Sequence, residues 1–218
     1  MDMGVSSSAY VKQSKVKGRP LYHGIKRLFD LLASSIALIL LSPLFLVLAI
    51  KIHGEDGGPV FYSQIRIGKD EKPFRIYKFR SMVVNAEKLK KELLEQNEVE
   101  GAMFKMHDDP RITKIGKFIR AHSLDELPQL WNVLIGNMSL VGPRPPLPNE
   151  VEQYTDYDKQ RLLVKPGCSG IWQATSRNAA DFADMVQLDI EYINRSGVFF
   201  DLWIICKHPI ARYIKIPS

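Results

Sequence analysis

Cysteine is scarce. The 218 residues hold two, Cys168 and Cys206, too few for the disulfide framework of a secreted scaffold and outside any CxxC or metal-type spacing. The sequence also lacks a Walker loop, a GxGxxG turn and an HxE…CxxC zinc pattern. Its five histidines, His23, His53, His107, His122 and His208, are too scattered to suggest a metal-ligand cluster. Thirteen prolines and fourteen glycines show no period, which excludes collagen and simple repeats. Acidic residues are the minority, 24 against 30 Lys and Arg, giving a net charge of +6 and an isoelectric point near 9.2. That surplus suits a polyanion: nucleic acid, an anionic membrane or a phosphorylated substrate. With 45% hydrophobic and 25% charged residues, the composition is that of one ordinary domain, with or without an appendage. The cysteine usage is that of a reduced, cytosol-facing protein.

One stretch contains no charge at all. Leu31 to Ile50 reads LLASSIALILLSPLFLVLAI, flanked by Lys12, Lys15, Lys17, Arg19, Lys26 and Arg27 before it and Lys51, Arg66 and Lys69 after it. No small-residue cleavage site ends the run, and it exceeds a usual signal-peptide core. A membrane segment is the reading it favours over a buried core helix. A spanning helix needs about 20 apolar residues to cross roughly 30 Å, and Ser42-Pro43 interrupts this one. Proline lacks an N–H and clashes with the carbonyl four residues back, here Ile39, so a break is expected there. Ser42 can satisfy a backbone group freed by the break. Each half is then roughly 18 Å at most, little more than half a bilayer. Basic flanks on both sides fit two cytosolic ends. The residues favour a re-entrant helix–break–helix, with a kinked single span as the alternative.

The remainder reads as a compact polar domain. Residues 1–20 are Ser/Lys-rich and are expected to form a basic flexible arm. Val60–Ile67 and Phe74–Phe79 flank GKDEKP as a hairpin. Val83–Glu100 carries Glu87/Lys91 and Lys88/Glu92 pairs and is expected as a charged surface helix. Thr113–Ala121 and Leu127–Ile135 are short helices, the second stopped by Gly136. Gly142–Pro148 must be extended or turn-like. A helix near Asp181–Asn194 precedes an amphipathic tail, Val198–Ile214, whose apolar face suits a core or a membrane interface. The expected fold class is α+β: a mainly helical cytosolic domain with a small β-hairpin and an N-terminal re-entrant membrane helix. Its divisions are a flexible arm (1–20), the re-entrant helix (21–53) and a catalytic domain with an interfacial C-terminal segment (54–218).

Two constellations carry possible chemistry. In Arg120-Ala121-His122-Ser123-Leu124-Asp125-Glu126-Leu127-Pro128, Ser123 and Glu126 have the spacing of a helix capping box, which by itself explains adjacent acids at a helix start. Pro128 falls late for a helix starting after Ser123, however, so an irregular turn is expected. The basic surroundings (Arg111, Lys114, Lys117, Arg120) are expected to lower the carboxylate pKa values and attract phosphate. A carboxylate amid cations there suits phosphate handling or Mg²⁺ binding. In the second, Gly142-Pro143-Arg144-Pro145-Pro146, flanking prolines hold Arg144 in a preset place suited to gripping phosphate. The alternative is a proline turn bearing a solvated arginine. Lys165-Pro166-Gly167 and Arg177 are basic turn residues of lower specificity.

The segments KRLFDLLAS…SPLFL, PVFYSQIRIGK, FRIYKFRSM, DPRITKIGKFIR, SLDELPQLWNVLIGNMSLVGPRPP, VKPGCSGIWQ and LDIEYI occur in the order seen in bacterial sugar transferases. The chain resembles the small, monotopic phosphoglycosyl transferases of the polyprenol-phosphate pathway, from about Lys26 to Lys207. Relatives usually have Gly before the arginine of Ala174-Thr175-Ser176-Arg177, a local departure. The resemblance implies that Asp125 is the nucleophile toward the β-phosphorus of a UDP-sugar, with Glu126 its dyad partner. It implies Mg²⁺ at Asp125, phosphates or nucleotide held by Arg120, Pro143, Arg144, Pro145 and Arg177, and Asp189 orienting one of the arginines. It further implies polyprenol (undecaprenyl) phosphate as acceptor and UMP as product. The implied setting is the bacterial inner membrane, with the catalytic domain facing the cytosol at the start of exopolysaccharide or glycan assembly. The expected partners are thus UDP-sugar, polyprenol phosphate and the lipid bilayer, with no nucleic acid and a possible homo-oligomer. The alternatives are a UDP-releasing glycosyltransferase and a non-catalytic membrane adaptor.

Overall fold

The computed structural model describes residues 10–92, 109–175 and 181–213. Two long helices dominate the N-terminal part: α1 is short (Gln13–Lys17), α2 spans Pro20–Leu40 and α3 Ser42–Asp56. Pro43 leaves Ile39 without its helical donor, and Ser42 Oγ fills the gap by donating to the Ile39 carbonyl at 2.7 Å. The two helices meet at Leu41 with a bend of 59°. Among the described residues no single helix is long and apolar enough to cross a membrane, while this bent pair meets the test together. Its outer surface stays apolar and open: Leu28, Leu32, Ile36, Ile39, Leu40, Leu46 and Ile50 are all exposed.

Gly57, in the left-handed region at φ 70°, ends α3, as a glycine after a helix C-terminus does without a Cβ penalty. The chain then forms the expected hairpin, β1 (Phe61–Ile67) antiparallel to β2 (Pro73–Phe79), with Gln64 opposite Ile76 and Tyr62 opposite Lys78. Arg80 clamps this hairpin to the end of α3 through a bidentate pair with Asp56, both contacts at 2.5 Å. The charged helix, expected from Val83, starts three residues later. Val83 N–H donates to Arg111 O instead, and α4 begins at Ala86 (Ala86–Glu92); the rest of the expected helix lies outside the described residues.

Next come α5 (Lys114–Ala121), capped by Thr113 Oγ1, then a single 3-10 turn (Leu124–Glu126) and α6 (Gln129–Leu134). A second, parallel pair, β3 (Ser139–Val141) with β4 (Gly167–Ser169), brings the two proline-glycine segments together. Between these strands lie the short helices α7 (Pro148–Val151) and α8 (Asp156–Lys159). The chain closes with α9 (Ile171–Thr175), α10 (Phe182–Arg195) and α11 (Val198–Tyr213). The fold is thus mostly helical with two small sheets.

Two buried clusters set the geometry. Val141, Ile171, Val186, Ile190, Ile193 and Ile204 join β3, α9, α10 and α11 into one core. The amphipathic tail therefore buries Ile204 in that core while Phe199 remains exposed. Leu48 and Ile52 of α3 pack with Phe79 and Ile119, and Leu124 and Leu127 lie against them. Residues 10–19, expected as part of a flexible arm, are instead laid on the domain. Val11 is buried, its N–H bonds Gln160 Oε1 at 2.7 Å, and Lys12 N–H bonds Asn194 Oδ1 at 2.9 Å. One apolar valine and two side-chain acceptors on distant elements outweigh the local Ser/Lys composition.

Candidate active site

The Asp125-Glu126 pair sits on the 3-10 turn between α5 and α6, and that turn is not a helix cap. Ser123 lies in the left-handed region (φ 51°, ψ 28°) and its hydroxyl caps nothing, so the capping-box reading falls. A non-glycine residue there costs about 1–2 kcal/mol, and the anchoring on both sides supplies the compensation. Leu124 and Leu127 are sunk against Leu48, Ile52 and Ile119. Upstream, the Glu55 carboxylate accepts from Lys114 N at 2.7 Å and Ile115 N at 3.1 Å, so the last turn of α3 caps α5. α3 thus holds the acidic turn both directly, through Leu48 and Ile52, and through α5, which Glu55 caps.

The hairpin supplies the opposite wall. Strand periodicity puts alternate residues on one face, and the observed register makes Tyr62, Gln64 and Arg66 share a face with Phe74, Ile76 and Lys78. Arg66, Ile76 and Lys78 line a cleft of about 500 Å³ together with Arg120, Glu126, Gln129, Arg144, Pro145 and Trp172. Lys78 Nζ bonds Glu126 Oε1 at 3.0 Å. Asp125, half-buried beside Glu126, is not on the cleft wall and has no ion-pair partner among the described residues. Burial pushes its carboxyl above the ordinary carboxylate range, with Glu126 adding to the rise and Lys78 and Arg120 opposing it. The expectation of a lowered value is thereby corrected for Asp125: desolvation outweighs the nearby cations.

The arginine loop is rigid for a reason the residues alone conceal. Gly142 N–H donates to Ser169 O at 2.8 Å and Gly167 N–H to Pro143 O at 2.9 Å, so the Gly142–Pro145 segment is strapped to the Lys165-Pro166-Gly167 turn. A Cβ on Gly167 would lie 2.0 Å from Gly142 N; both positions need glycine for this approach. Pro143 and Pro145 are buried. Arg66 donates to Pro145 O at 3.1 Å and Gln64 Oε1 at 3.0 Å. Burial, reinforced by repulsion from Arg144, lowers the Arg66 guanidinium to about 10, still protonated at neutral pH. Two arginines forced together with one acid at some distance (Arg144 to Glu150, 3.7 Å) are suited to an anion between them.

Of the residues singled out from sequence, the cleft gathers Arg120, Glu126, Arg144 and Pro145, with Asp125 adjoining. Arg177 lies outside the described residues. Asp189 is fully buried and ion-paired with Arg161. Arg161 NH2 also reaches Arg144 O at 3.5 Å and its NH1 the Tyr154 hydroxyl at 3.0 Å, so Asp189 reaches the arginine loop through Arg161. Sequence reasoning missed Arg66, Lys78, Arg161 and Trp172. For the first two the signal was present: charged residues at even spacing within apolar strands. Trp172 carries a buried indole N–H without an acceptor among the described residues, pointing to a ligand oxygen.

The model of one family, bacterial sugar transferase, matches residues 21–214. The chain is 50% identical over 181 residues to the galactosyl transferase CpsE of Streptococcus agalactiae serotype III, covering 83% of this chain and 40% of that protein. It is 46% identical over 187 residues to the undecaprenyl-phosphate galactose phosphotransferase of Salmonella typhimurium, covering 84% and 39%. With the exopolysaccharide production protein ExoY of Rhizobium meliloti it shares 39% identity over 206 residues, 93% of this chain and 91% of that one. The chain thus spans about two fifths of the first two relatives and nearly all of the third.

Proposed function

The chain belongs to the bacterial sugar transferase family, and we propose that it transfers a sugar 1-phosphate from a UDP-sugar to undecaprenyl phosphate, releasing UMP, as the opening membrane step of exopolysaccharide or glycan assembly. The names of the relatives support this reading. The observation that carries it is the cleft itself, in which Arg66, Lys78, Arg120 and Arg144 line one wall with Glu126, while Asp125 adjoins Glu126 on the same strained turn. That is an arrangement for a diphosphate next to a nucleophile.

In this reading an Asp125 carboxylate oxygen attacks the sugar-bearing β-phosphorus. The bond between that phosphorus and the bridging oxygen breaks, and the oxygen leaves on UMP. Asp125 is left as an acyl phosphate of the sugar. An oxygen of undecaprenyl phosphate then attacks the same phosphorus, the aspartyl O–P bond breaks, and the carboxylate is restored. Arg120 and Arg144 hold the phosphates, and Arg66 adds charge behind Arg144. Lys78 positions Glu126. Partial burial leaves Asp125 poorly hydrated, which favours attack once it is ionised.

Among the described residues no group of three metal-ligating side chains is present. Mg²⁺, however, characteristically uses one or two carboxylates plus substrate phosphates, and Asp125, unpaired beside the cleft, fits that role with Glu126. When bound, Mg²⁺ neutralises the developing charge on the diphosphate.

The half-inserted anchor follows from the substrates. A polyprenol chain stays in the bilayer and a sugar nucleotide stays in water, so the site must lie at headgroup level. The bend at Leu41, the Ser42 bond to Ile39 and the open apolar surface of α2 and α3 support a re-entrant pair with both ends in the cytosol, at the bacterial inner membrane. The test is enzyme given UDP-sugar alone. Release of UMP with the mass of a sugar phosphate on the Asp125 peptide is expected. Release of UDP, or UMP only when both substrates are present with no adduct on rapid acid quench, would overturn the covalent route.

A further inference from the structure

A second cavity, of about 210 Å³, lies between α1, the first turns of α2, α10 and the Leu163–Lys165 segment, and shares no lining residue with the catalytic cleft. Its lining is strongly cationic: Lys15, Lys26, Arg27, Lys69 and Lys165, with His23 beside them. Two of these charges are engaged. Lys26 Nζ pairs with Asp201 at 2.9 Å, and Arg27 donates to Val133 O at 2.6 Å and Leu134 O at 2.8 Å, closing the C-terminus of α6. The second interaction leaves Arg27 without an acidic ion-pair partner among the described residues. Lys15, Lys69 and Lys165 have no carboxylate within ion-pair distance among the described residues. The one acid in the lining, Asp30, has an oxygen committed to Ser139 Oγ at 3.1 Å and Leu140 N at 3.0 Å. Ordinary surface lysines spread apart into water; here three from separate elements converge on one concavity beside an arginine.

From this geometry we propose a second anion site, taking a phosphate-bearing ligand between Lys15, Lys69 and Lys165. The crowding has an electrostatic consequence: Lys165 is held below the ordinary ammonium range, first by burial and then by Arg27 and Lys69. A bound phosphate removes that repulsion and gains charge-assisted hydrogen bonds. The cavity abuts a second groove, almost wholly apolar, walled by Ile25, Phe29, Val198, Leu202 and Ile205, with Lys26, Asp30 and Val141 common to both. A ligand with a phosphate head and a hydrocarbon chain can fill the two together, whereas a free phosphate fills the first alone.

The test is native mass spectrometry of the full chain in detergent micelles, with phosphatidylglycerol as one probe and inorganic pyrophosphate as the other. Lys69→Ser/Lys165→Ser should weaken binding by about tenfold or more, the loss of charge-assisted contacts. Lys69→Arg/Lys165→Arg should retain it, and Lys15→Ser, on the separate helix α1, should weaken it independently. A phosphatidylglycerol adduct that pyrophosphate does not displace identifies a lipid headgroup site; displacement identifies a free-phosphate site, and both support the proposal. Binding of both probes that is absent in the wild type, or unchanged in the serine variants, overturns it.

Discussion

Replacing Gly167 by alanine tests whether the arginine loop is held by backbone strapping. The added Cβ would lie 2.0 Å from Gly142 N and 2.6 Å from both Gly142 Cα and Val141 C. All three are backbone atoms, so no rotamer relieves the overlap. Against an ordinary carbon contact of about 3.5 Å, the two segments must part by roughly 1.5 Å. That breaks the Gly142 N–Ser169 O and Gly167 N–Pro143 O bonds, now 2.8 and 2.9 Å. Buried groups left unpaired cost about 1–3 kcal/mol each, so a destabilisation of roughly 3–5 kcal/mol follows. A domain stable by about 5–15 kcal/mol stays folded above the low end of that range, with Arg144 displaced along with Pro143. A misplacement of about 1 Å in a positioning group costs about a hundredfold in rate. The assay is UMP release from UDP-sugar with undecaprenyl phosphate, alongside thermal denaturation in detergent. Gly24→Ala is the control: its Cβ would meet nothing within 4 Å, and the helix gains up to about 1 kcal/mol. A Gly167→Ala enzyme with wild-type melting and activity within twofold would refute the strapping argument.

Asp125→Asn should abolish turnover by several orders of magnitude, with melting nearly unchanged because no cap or ion pair is lost; comparable residual activity would remove Asp125 from the nucleophile role. Changing Ser42-Pro43 to Ala-Leu should restore a continuous helix in place of the 59° bend. Because residues 10–19 are fixed to the domain that also carries Lys72, that change works against those contacts and should lower turnover. In the native protein, cysteines placed at Lys17 and Lys72, with Cys206 replaced by serine, should both label from one side of the membrane, and opposite-side labelling would overturn the re-entrant pair. Asp189→Asn should destabilise by about 3–5 kcal/mol by leaving buried Arg161 without its counter-charge, while Asp189→Leu/Arg161→Met should cost much less. Chemical denaturation distinguishes the two, and equal losses would mean the pair is held by packing alone.

Much of the site was readable because local chemistry announced it. Pro43 had to break a helix, and Ser42 was the adjacent residue able to serve the freed Ile39 carbonyl. Pro128 stood too late for a helix beginning at Ser123, and an irregular turn resulted. Prolines around Arg144 restrict φ wherever the chain goes. The hairpin, the break, the short helices around the acidic pair and the extended arginine loop all rest on such one-to-four-residue effects.

What only the tertiary structure decided is everything that depends on a distant partner. Arg66 and Lys78 reach the cleft because β1 and β2 pair in one register, and a shift of a single residue would turn them away. Gly167 serves Arg144 through a parallel strand pair that no local signal marks. The sign of the Asp125 shift came from burial of its side chain in the folded domain, not from the basic residues adjacent in sequence. Residues 10–19 are ordered by Val11 and by acceptors on Gln160 and Asn194, about 150 and 180 positions away. Local rules act over a helical turn or a dihedral angle, whereas desolvation and charge pairing depend on which surfaces meet once the chain has folded.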